Sequence, residues 1–337
     1  MSGRGRREQV RKSRHGAHRR RRWVVFLLFL ACLLGLLGLT FVYQPEEEPV
    51  SRVKLPAVKP EPAPPQPTPQ ATARTLRRGL EQVAAEYPGT YGVVVYDPSS
   101  MRTVTLNADR RFLAASLTKL PVLFTLYRAA ARGEVNLEDE ISMLRSDVQA
   151  YGTGVLYKYP VGYTLTLREC AELMIKESDN TAWVMLNRYL GKDYIEAELE
   201  QIGATSTEYW IPNTTTPNDV LAMLQAIADP SYTTPELSAE MLDVMTDTSF
   251  EDRLPQPLPE GARVAHKIGS YGDTFSDAGI VFPRGSNGTR DAYFIVVIAA
   301  DTSEWTARSA IQDMSLTTYR SLGEPLAHPK ASTRPTS

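Results

Sequence analysis

The chain has few of the residues that most often bind metal ions or form redox and disulfide sites. Its 337 residues include two cysteines, Cys32 and Cys170, and four histidines. Two cysteines do not provide a disulfide framework, and we interpret both as buried thiols. Only His266 falls within the region that we expect to fold, which argues against a histidine-ligated metal site and against a Ser-His-Asp triad. The motifs G-x-S-x-G and H-E-x-x-H are also absent, so neither a metal nor an organic cofactor is predicted.

The chain has almost no net charge, but its charges are unevenly distributed. The formal total is −2 at pH 7, whereas residues 1–22 alone carry +9 and the remaining residues carry −11. An acidic body argues against nucleic acid as the main partner. We interpret the basic N-terminal segment as a membrane-topology signal, because of the segment that follows it.

A long apolar run follows the basic segment. Residues 23–43 contain no charged side chain over 21 positions. At about 1.5 Å per residue, a helix of this length crosses a hydrocarbon core of about 30 Å. Arg19 to Arg22 directly precede the run, so the positive-inside rule predicts a cytoplasmic N-terminus and an exported C-terminal part. A cleaved signal peptide is the alternative, but the run is long for one and no small-x-small cleavage site follows it.

The next segment lacks the composition needed for a hydrophobic core. Nine prolines lie between Pro45 and Pro69, which is typical of an extended, semi-rigid spacer. At about 3.1 Å per residue, such a spacer could hold a domain on the order of 90 Å from the membrane, as passage into a cell wall would require. We therefore predict a cytoplasmic tail at residues 1–22, a transmembrane anchor at 23–43, a proline-rich linker at 44–73, a folded domain at 74–322 and a disordered tail at 323–337.

The folded region begins and ends with strand patterns. The dipeptide Asn287-Gly288 predicts a turn between its last two strands. The predicted strands are Tyr91–Asp97, Arg102–Asn107, Arg263–Ser270, Ser276–Phe282 and Asp291–Ala300.

Helical patterns occupy most of the residues between and outside these strands. Thr166 opens one helix with a capping-box pattern, Gly191 ends another, and Pro217 occupies the first position of a third. Strands at both ends with helices between them predict an α/β fold, in which an antiparallel sheet is flanked by helices and carries an inserted all-helical subdomain. The junction of the two parts is a natural cleft. Further helices are predicted at residues 74–86, from Ser116 to just before Gly133, near 236–247 and at about 303–321.

The sequence AASLTKLPVLFTL, which begins at Ala114, predicts a tight turn that leads into the central apolar helix. Ser116 and Lys119 lie three residues apart, and positions i and i+3 are neighbours on a helix surface. A serine hydroxyl becomes a nucleophile when a base accepts its proton, and a neutral amine can do so. Burial and a second positive charge both lower the pKa of a lysine, which makes its amine available near neutral pH.

Two further motifs follow at long sequence distance. The triplet SDN begins at Ser178, in the bend between two predicted helices, and the triplet KIG begins at Lys267, on the first strand of the returning sheet. With the S-x-x-K motif at Ser116, the set resembles that of the penicillin-recognising serine enzymes, and most closely that of the class A β-lactamases. The resemblance covers about residues 74–322 and includes the FLAASLTK, ESDNTA and TTTP sequences.

The resemblance implies a chemical role for three of these side chains. Ser116 would attack a strained or activated amide carbonyl and form an acyl-enzyme. Lys119 would be the base, or part of a proton relay, since the identity of the base in this family is disputed. Ser178 would pass a proton to the leaving nitrogen.

It also implies substrate-binding roles. Asn180 would orient the substrate amide and hold Lys119 in place. Lys267 would attract the substrate carboxylate, and its charge would help to keep the neighbouring groups reactive. The backbone amides of Ser116 and Ser270 would form the oxyanion hole. We interpret His266 as structural, because its side chain points to the opposite face of the strand from Lys267.

The sequence departs from the class A pattern at two places. Ile268 replaces the usual Thr or Ser of the third motif, from which we expect altered packing more than lost chemistry. The E-x-x-L-N stretch, whose glutamate activates the deacylating water in class A enzymes, has no counterpart between Asn180 and Asn213. Glu208 is the nearest acid in place of it. Without that base an acyl-enzyme could persist, as it does in penicillin-binding proteins.

These observations predict a membrane-anchored, extracytoplasmic serine hydrolase of the class A β-lactamase type, which forms an acyl-enzyme at Ser116 with β-lactam amides and hydrolyses them. A peptidoglycan D-Ala-D-Ala carboxypeptidase is the first alternative, because it would explain both the spacer and the missing glutamate. A non-catalytic wall- or β-lactam-binding sensor is the second. We expect a monomer whose partners are its β-lactam or stem-peptide substrate and, through one helix, the membrane.

Overall fold

The computed structural model describes residues 69–210, 213–286 and 291–322, which all fall within one compact unit. The predicted basic tail, membrane anchor, most of the linker, the C-terminal tail, the Asn287-Gly288 turn and Cys32 lie outside the described residues. Among the described residues, no helix is both long enough and apolar enough to cross a membrane.

Helices and short 3₁₀ turns occupy most of the middle of the described chain, and strands lie towards both ends. The helices are α1 (Pro69–Glu86), α2 (Lys119–Ala131), α3 (Leu167–Lys176), α4 (Asn180–Leu190), α5 (Lys192–Gln201), α6 (Pro217–Ala228), α7 (Pro235–Val244) and α8 (Glu304–Leu322). The strands are β1 (Thr90–Asp97), β2 (Arg102–Leu106), β3 (Phe112–Leu113), β4 (Glu140–Ser142), β5 (Thr164–Thr166), β6 (Thr214–Thr215), β7 (Arg263–Tyr271), β8 (Thr274–Phe282) and β9 (Tyr293–Ala300).

The main sheet joins the two ends of the folded region. Its strand order is β2-β1-β9-β8-β7, and every neighbouring pair is antiparallel. Strand β1 pairs with β9 in a register that places Val94 opposite Val296. The predicted antiparallel sheet is therefore confirmed, and the helices between β2 and β7 form the inserted part.

Both faces of this sheet are buried, because successive residues of a strand point to opposite sides. Val93 and Val95 pack in a hydrophobic cluster that includes residues of α1 and α8. Val94 belongs instead to the larger cluster around α2 and the inserted helices. The sheet thus lies between two layers of helices. Helices α1 and α8 cover one face, so a cleft can form on the other side, where α2 and the inserted helices meet the sheet.

Helix α2 is the buried centre of the larger layer. Ten of its 13 residues are buried, including Lys119 at its first position. A helix that is apolar on nearly all sides needs neighbours on nearly all sides, and α2 contacts α3, α4, α5, α6 and α7. The 3₁₀ turn Ala115–Thr118, which leads into α2 and carries the predicted nucleophile, packs against β7.

The structure adds elements that the sequence patterns did not predict. Strands β4 and β5 form a two-stranded ribbon inside the mainly helical insert, in which Ile141 lies opposite Leu165. Helix α5 begins directly after Gly191, which was expected only to end the preceding helix and which in fact also caps α5 with a φ of 85°. Helix α1 begins at Pro69, five residues before the predicted start, because proline is well tolerated in the first turn of a helix.

Candidate active site

The nucleophile motif lies on a strained turn at the start of α2. Residues Ala115–Thr118 form a 3₁₀ turn, and Ala115 has a φ of 48°, which is unusual for a residue with a Cβ atom. The turn lies against β7 at Gly269, where a Cβ atom would stand 3.0 Å from the carbonyl oxygen of Ala114. Glycine in the third motif is therefore what allows the strand to approach the serine.

The amine of Lys119 is surrounded by four oxygen atoms. Its Nζ lies 3.0 Å from Ser116 Oγ, 2.9 Å from the backbone oxygen of Ser178, 3.3 Å from Ser178 Oγ and 2.8 Å from Asn180 Oδ1. A carbonyl oxygen and an amide oxygen can only accept hydrogen bonds. A neutral amine would direct its two N–H groups to these two acceptors, and its lone pair would then be left for a hydroxyl.

The surroundings of Lys119 favour that neutral amine. The side chain is 1% exposed, and its burial lowers the pKa to about 7, although the carboxylate of Asp179 partly opposes the shift. About half of the molecules would therefore hold a neutral Lys119 near pH 7. A neutral amine beside a serine hydroxyl is the arrangement that general-base activation of a nucleophile requires.

Ser178 connects the two lysines. Its side chain is buried, and its φ is 50°. Lys267 donates to Ser178 Oγ over 2.9 Å and to the backbone oxygen of Ile268 over 3.2 Å. Burial and repulsion from Lys119 hold the pKa of Lys267 well below its usual value. Ser178 Oγ is therefore contacted by both lysines, by Lys267 Nζ at 2.9 Å and by Lys119 Nζ at 3.3 Å.

The strap formed by residues 149–156 fixes the SDN turn. Asp179 Oδ2 accepts the backbone N–H groups of Val155 and Leu156 over 2.5 and 2.8 Å. Asn180 donates its backbone N–H to the oxygen of Thr153 over 3.2 Å. A Cβ atom at Gly154 would lie 2.5 Å from the Asp179 carboxylate. The aspartate of the second motif is therefore a positioning residue that joins the strap to the catalytic turn.

Arg253 is a residue of the site that the sequence patterns did not identify. It is buried, and its Nη2 donates to Ser270 Oγ over 2.6 Å. Its Nη1 donates to the backbone oxygens of Gly269 and Ser276 over 2.9 and 2.5 Å. The guanidinium thus places a fixed positive charge directly behind Ser270, which lines the cleft. An incoming carboxylate at Ser270 would meet this charge.

His266 forms a buried charged cluster on the other side of β7. Its Nδ1 lies 2.8 Å from Asp277 Oδ1 and its Nε2 lies 3.2 Å from Glu251 Oε1. Burial alone would lower the pKa of His266, but these two carboxylates raise it to about 9. Asp277 also accepts the backbone N–H of Leu254 over 3.0 Å. The cluster therefore anchors the segment that carries Arg253, and the structural interpretation of His266 agrees with this geometry.

Replacing His266 by glutamine is expected to destabilise the fold most strongly below pH 6.5. The pKa of His266 is higher in the folded protein than its usual value of 6.5, so its ionic stabilisation is complete below pH 6.5 and is lost as the pH rises through about 9. The linkage amounts to about 3 kcal/mol. Urea unfolding of the wild type and of His266→Gln should therefore give a difference in unfolding free energy that is larger at pH 6 than at pH 10. An equal difference at both pH values would contradict this account.

A cleft of about 620 Å³ opens in front of the nucleophile. Trp183 and Trp210 form one wall, with their rings stacked 5.1 Å apart. None of the described residues that line the cleft is acidic. The lining residues are Leu113, Ala115, Ser116, Thr118, Lys119, Ser146, Gln149, Tyr151, Asn180, Trp183, Val184, Trp210, Asn213, Ser270 and Tyr271.

Glu208 does not belong to the cleft lining. Its carboxylate forms an ion pair with Arg111, and both side chains are about half exposed. Its backbone pairs with Thr214 in an isolated bridge. Glu208, the acid that we considered as a replacement base, is therefore paired with Arg111 and does not line the cleft. Ile268 is buried in β7, which agrees with a packing role at that position.

The predicted site residues thus lie together in one place. Ser116, Lys119, Ser178 and Asn180 contact one another through Lys119, and Lys267 joins them through Ser178. Ser270 lines the same cleft and accepts a hydrogen bond from Arg253. The chemical roles implied for these residues stay predictions.

Comparison with known proteins identifies relatives of the folded region. A sequence profile described as the beta-lactamase enzyme family matches residues 75–322. Beta-lactamase 3 of Bacillus cereus is 28% identical over 215 residues, which are 59% of this chain and 66% of the relative. Beta-lactamase VEB-1 of Pseudomonas aeruginosa is 24% identical over 265 residues, which are 69% of this chain and 85% of the relative.

Solved structures with the same fold include both penicillin-binding proteins and β-lactamases. The structure of PBP-A superimposes with a TM-score of 0.67 at 27% identity, over 73% of this chain and 94% of that one. An acyl-enzyme complex of a PBP-A variant with penicillin G gives a TM-score of 0.68, also at 27% identity, over 73% and 96% of the two chains. A β-lactamase from Sphaerobacter thermophilus gives 0.66 at 27% identity, over 74% and 97%.

Proposed function

Because this chain belongs to the beta-lactamase enzyme family, and so to the penicillin-recognising serine hydrolases, we propose that it forms an acyl-enzyme at Ser116 with β-lactam amides. The contact between Ser116 Oγ and Lys119 Nζ, at 3.0 Å, carries this proposal. It is supported by the lowered pKa of Lys119, which makes a base available near neutral pH.

The proposed acylation follows from the positions of the side chains. Lys119 accepts the proton of Ser116 as Oγ attacks the amide carbonyl, and the C–N bond of the amide breaks as the tetrahedral intermediate collapses. The leaving nitrogen needs a proton, which Ser178 delivers while Lys267 holds its Oγ over 2.9 Å. Ser178 regains a proton from Lys119, which lies 3.3 Å away and carries the proton taken from Ser116. Arg253 and Ser270 receive the carboxylate of the substrate. The backbone amides of Ser116 and Ser270 bind the oxyanion.

We further propose that deacylation is slow. In class A enzymes a glutamate activates the water that hydrolyses the ester, and no described residue lining this cleft carries a carboxylate. The stacked Trp183 and Trp210 rings also make this wall apolar. This observation favours the second candidate, a D-Ala-D-Ala carboxypeptidase of the penicillin-binding type, in which a β-lactam remains attached as a long-lived ester.

The location is proposed from sequence alone. The uncharged run at residues 23–43, the arginines that precede it and the proline-rich spacer support a single-pass protein with a cytoplasmic N-terminus and an extracytoplasmic catalytic domain.

Intact-mass analysis after exposure to benzylpenicillin tests the proposal. We expect one covalent adduct in the wild type, none in Ser116→Ala, and an unchanged adduct in Ser146→Ala, which removes another hydroxyl from the same cleft. An adduct that persists for hours supports slow deacylation, and release of D-Ala from a peptide ending in D-Ala-D-Ala then identifies the carboxypeptidase. An adduct that decays within minutes identifies a β-lactamase. No adduct, or an adduct on Ser116→Ala, would overturn the proposed acylation.

A further inference from the structure

Exposed aromatic side chains are concentrated in one segment beside the cleft. Half of the exposed large apolar side chains in the described part of the chain fall within residues 144–163. All of the aromatic ones among them are tyrosines, of which Tyr151 is 72% and Tyr159 is 46% exposed. Singly scattered exposed apolar residues need no explanation, whereas a group of exposed aromatic rings within one short segment suggests a binding site. We call the side chains of Tyr157, Tyr159 and Tyr163, which do not line the cleft, the tyrosine surface.

The backbone beneath the tyrosine surface is held in place at both ends. At one end, Leu156 donates its backbone N–H to the buried Asp179 carboxylate over 2.8 Å. At the other, Met143 and Tyr163 are joined by a backbone hydrogen bond of 2.8 Å. The rings of Tyr159 and Tyr163 contact each other with their centroids 4.5 Å apart. Because the rings stand on an ordered backbone, a ligand would not have to order them on binding.

The tyrosine surface follows a cleft residue closely along the chain. Tyr151 lines the cleft, and its backbone oxygen accepts Asn180 Nδ2 over 3.1 Å. Tyr157 lies six residues further along the chain, hence within about 20 Å of Tyr151. The tyrosine surface therefore begins within this distance of the cleft.

The charge of this segment is positive, unlike that of the acidic body. Asp147 is its only acid, and the Asp147 carboxylate is paired with Arg188 over 2.9 Å. Arg145 and Lys158 supply two positive charges, and Lys158 Nζ lies 5.5 Å from the centre of the Tyr157 ring. The surface thus combines aromatic rings, hydroxyl groups and cations.

We propose that the tyrosine surface binds an anionic polymer of N-acetylated amino sugars, of the kind found in peptidoglycan. Aromatic rings stack on the C–H faces of pyranose rings, and each tyrosine hydroxyl can bond to a sugar hydroxyl or an acetamido group. Arg145 and Lys158 meet the carboxylates that such a polymer carries. This surface lies outside the acylation site, so it goes beyond the proposed function and does not require turnover.

Co-sedimentation of the full-length protein, in detergent, with purified peptidoglycan tests the proposal. The double variant Tyr159→Ala/Tyr163→Ala should bind roughly ten-fold more weakly than the wild type. Trp305→Ala is the control, because Trp305 is an even more exposed aromatic residue and lies on α8, outside this segment. This variant should bind as the wild type does. Lys158→Gln should weaken binding to peptidoglycan but not to chitin, a polymer of an N-acetylated amino sugar that carries no carboxylates.

The result is separable from that of the acylation experiment. Neither tyrosine lines the cleft, so the double variant should acquire the benzylpenicillin adduct at the wild-type rate, and Ser116→Ala should still bind peptidoglycan. Wild-type binding by the double variant would overturn the proposal. So would loss of binding after acylation by penicillin, which would place all of the binding in the cleft, or a change of the double variant from dimer to monomer, which would assign the surface to a second copy of the chain.

Discussion

Replacing Lys119 by methionine is expected to lower the rate constant of acylation by benzylpenicillin by a factor on the order of 10³, because general-base catalysis is lost. The same change should raise the melting temperature. The folded protein holds the pKa of Lys119 at about 7, below its usual 10.5, so the unfolded chain binds an additional proton between these pH values. The lowered pKa of Lys119 destabilises the folded wild type most near pH 7, and this destabilisation decreases as the pH rises towards 10.5. Methionine has a similar length and no charge to bury.

Two measurements at pH 8 check this prediction, namely the adduct formation rate by mass spectrometry and the thermal unfolding curve. In the wild type the acylation rate should also rise with pH and level off above about 7, as Lys119 loses its proton. Lys192→Met is the control, since Lys192 is exposed and pairs with Glu196, and it should change neither quantity. A Lys119→Met protein that is acylated at the wild-type rate would show that another group accepts the serine proton.

Short β-rich runs bounded by turn residues were sufficient to predict the main sheet. Strand β1 contains three consecutive valines, and β7, β8 and β9 are similar runs rich in β-forming residues. Sheet pairing between the two ends also followed, because strands at both ends of a helical insert have no other strands of comparable length to pair with. The α/β fold is confirmed by the solved structures with the same topology.

Very short strands, and a residue that caps two helices at once, could not be predicted from such runs. Strands β4 and β5 have three residues each, which is too few for a two-residue period to be recognised. Gly191 was predicted to end a helix, and it does, but it also caps the start of the next helix with a φ of 85°. A single glycine in the sequence does not show that a second helix follows it directly. Here tertiary packing decides the structure, because Ile195 and Leu199 of α5 enter the core.

The residues of the candidate site also differ in how well the sequence predicts them. Residues within a motif could be identified, because spacing along a turn or a strand fixes which side chains are neighbours. Arg253 could not, since it reaches Ser270 from a segment that has no regular pattern. The partners of His266 were also hidden, because Glu251 and Asp277 lie 15 and 11 residues away from it and meet it only in the fold. Long-range polar contacts of this kind are not encoded in local periodicity.

Replacing Ser178 by alanine or by glycine is expected to slow acylation equally, by a factor on the order of 10². Both changes remove the Oγ atom that accepts Lys267 over 2.9 Å and lies 3.3 Å from Lys119. Proton delivery to the leaving nitrogen then has no hydroxyl to pass through. The two variants should differ in stability instead, because Ser178 has a φ of 50°, which glycine adopts without strain and alanine does not. Glycine should therefore be more stable than alanine by roughly 1 kcal/mol.

This pair of variants separates chemistry from conformation at one position. Acylation rates from mass spectrometry and unfolding free energies from urea titration give the two readouts for each protein. If Ser178 acted only by holding the turn in its left-handed conformation, the glycine variant would recover part of the lost rate together with the stability. Equal rates with unequal stabilities would instead assign the loss to the missing oxygen. Since Lys119 retains Ser116 Oγ, the backbone oxygen of residue 178 and Asn180 Oδ1 as partners in both variants, the nucleophile stays activated, and only the leaving-group proton is in question.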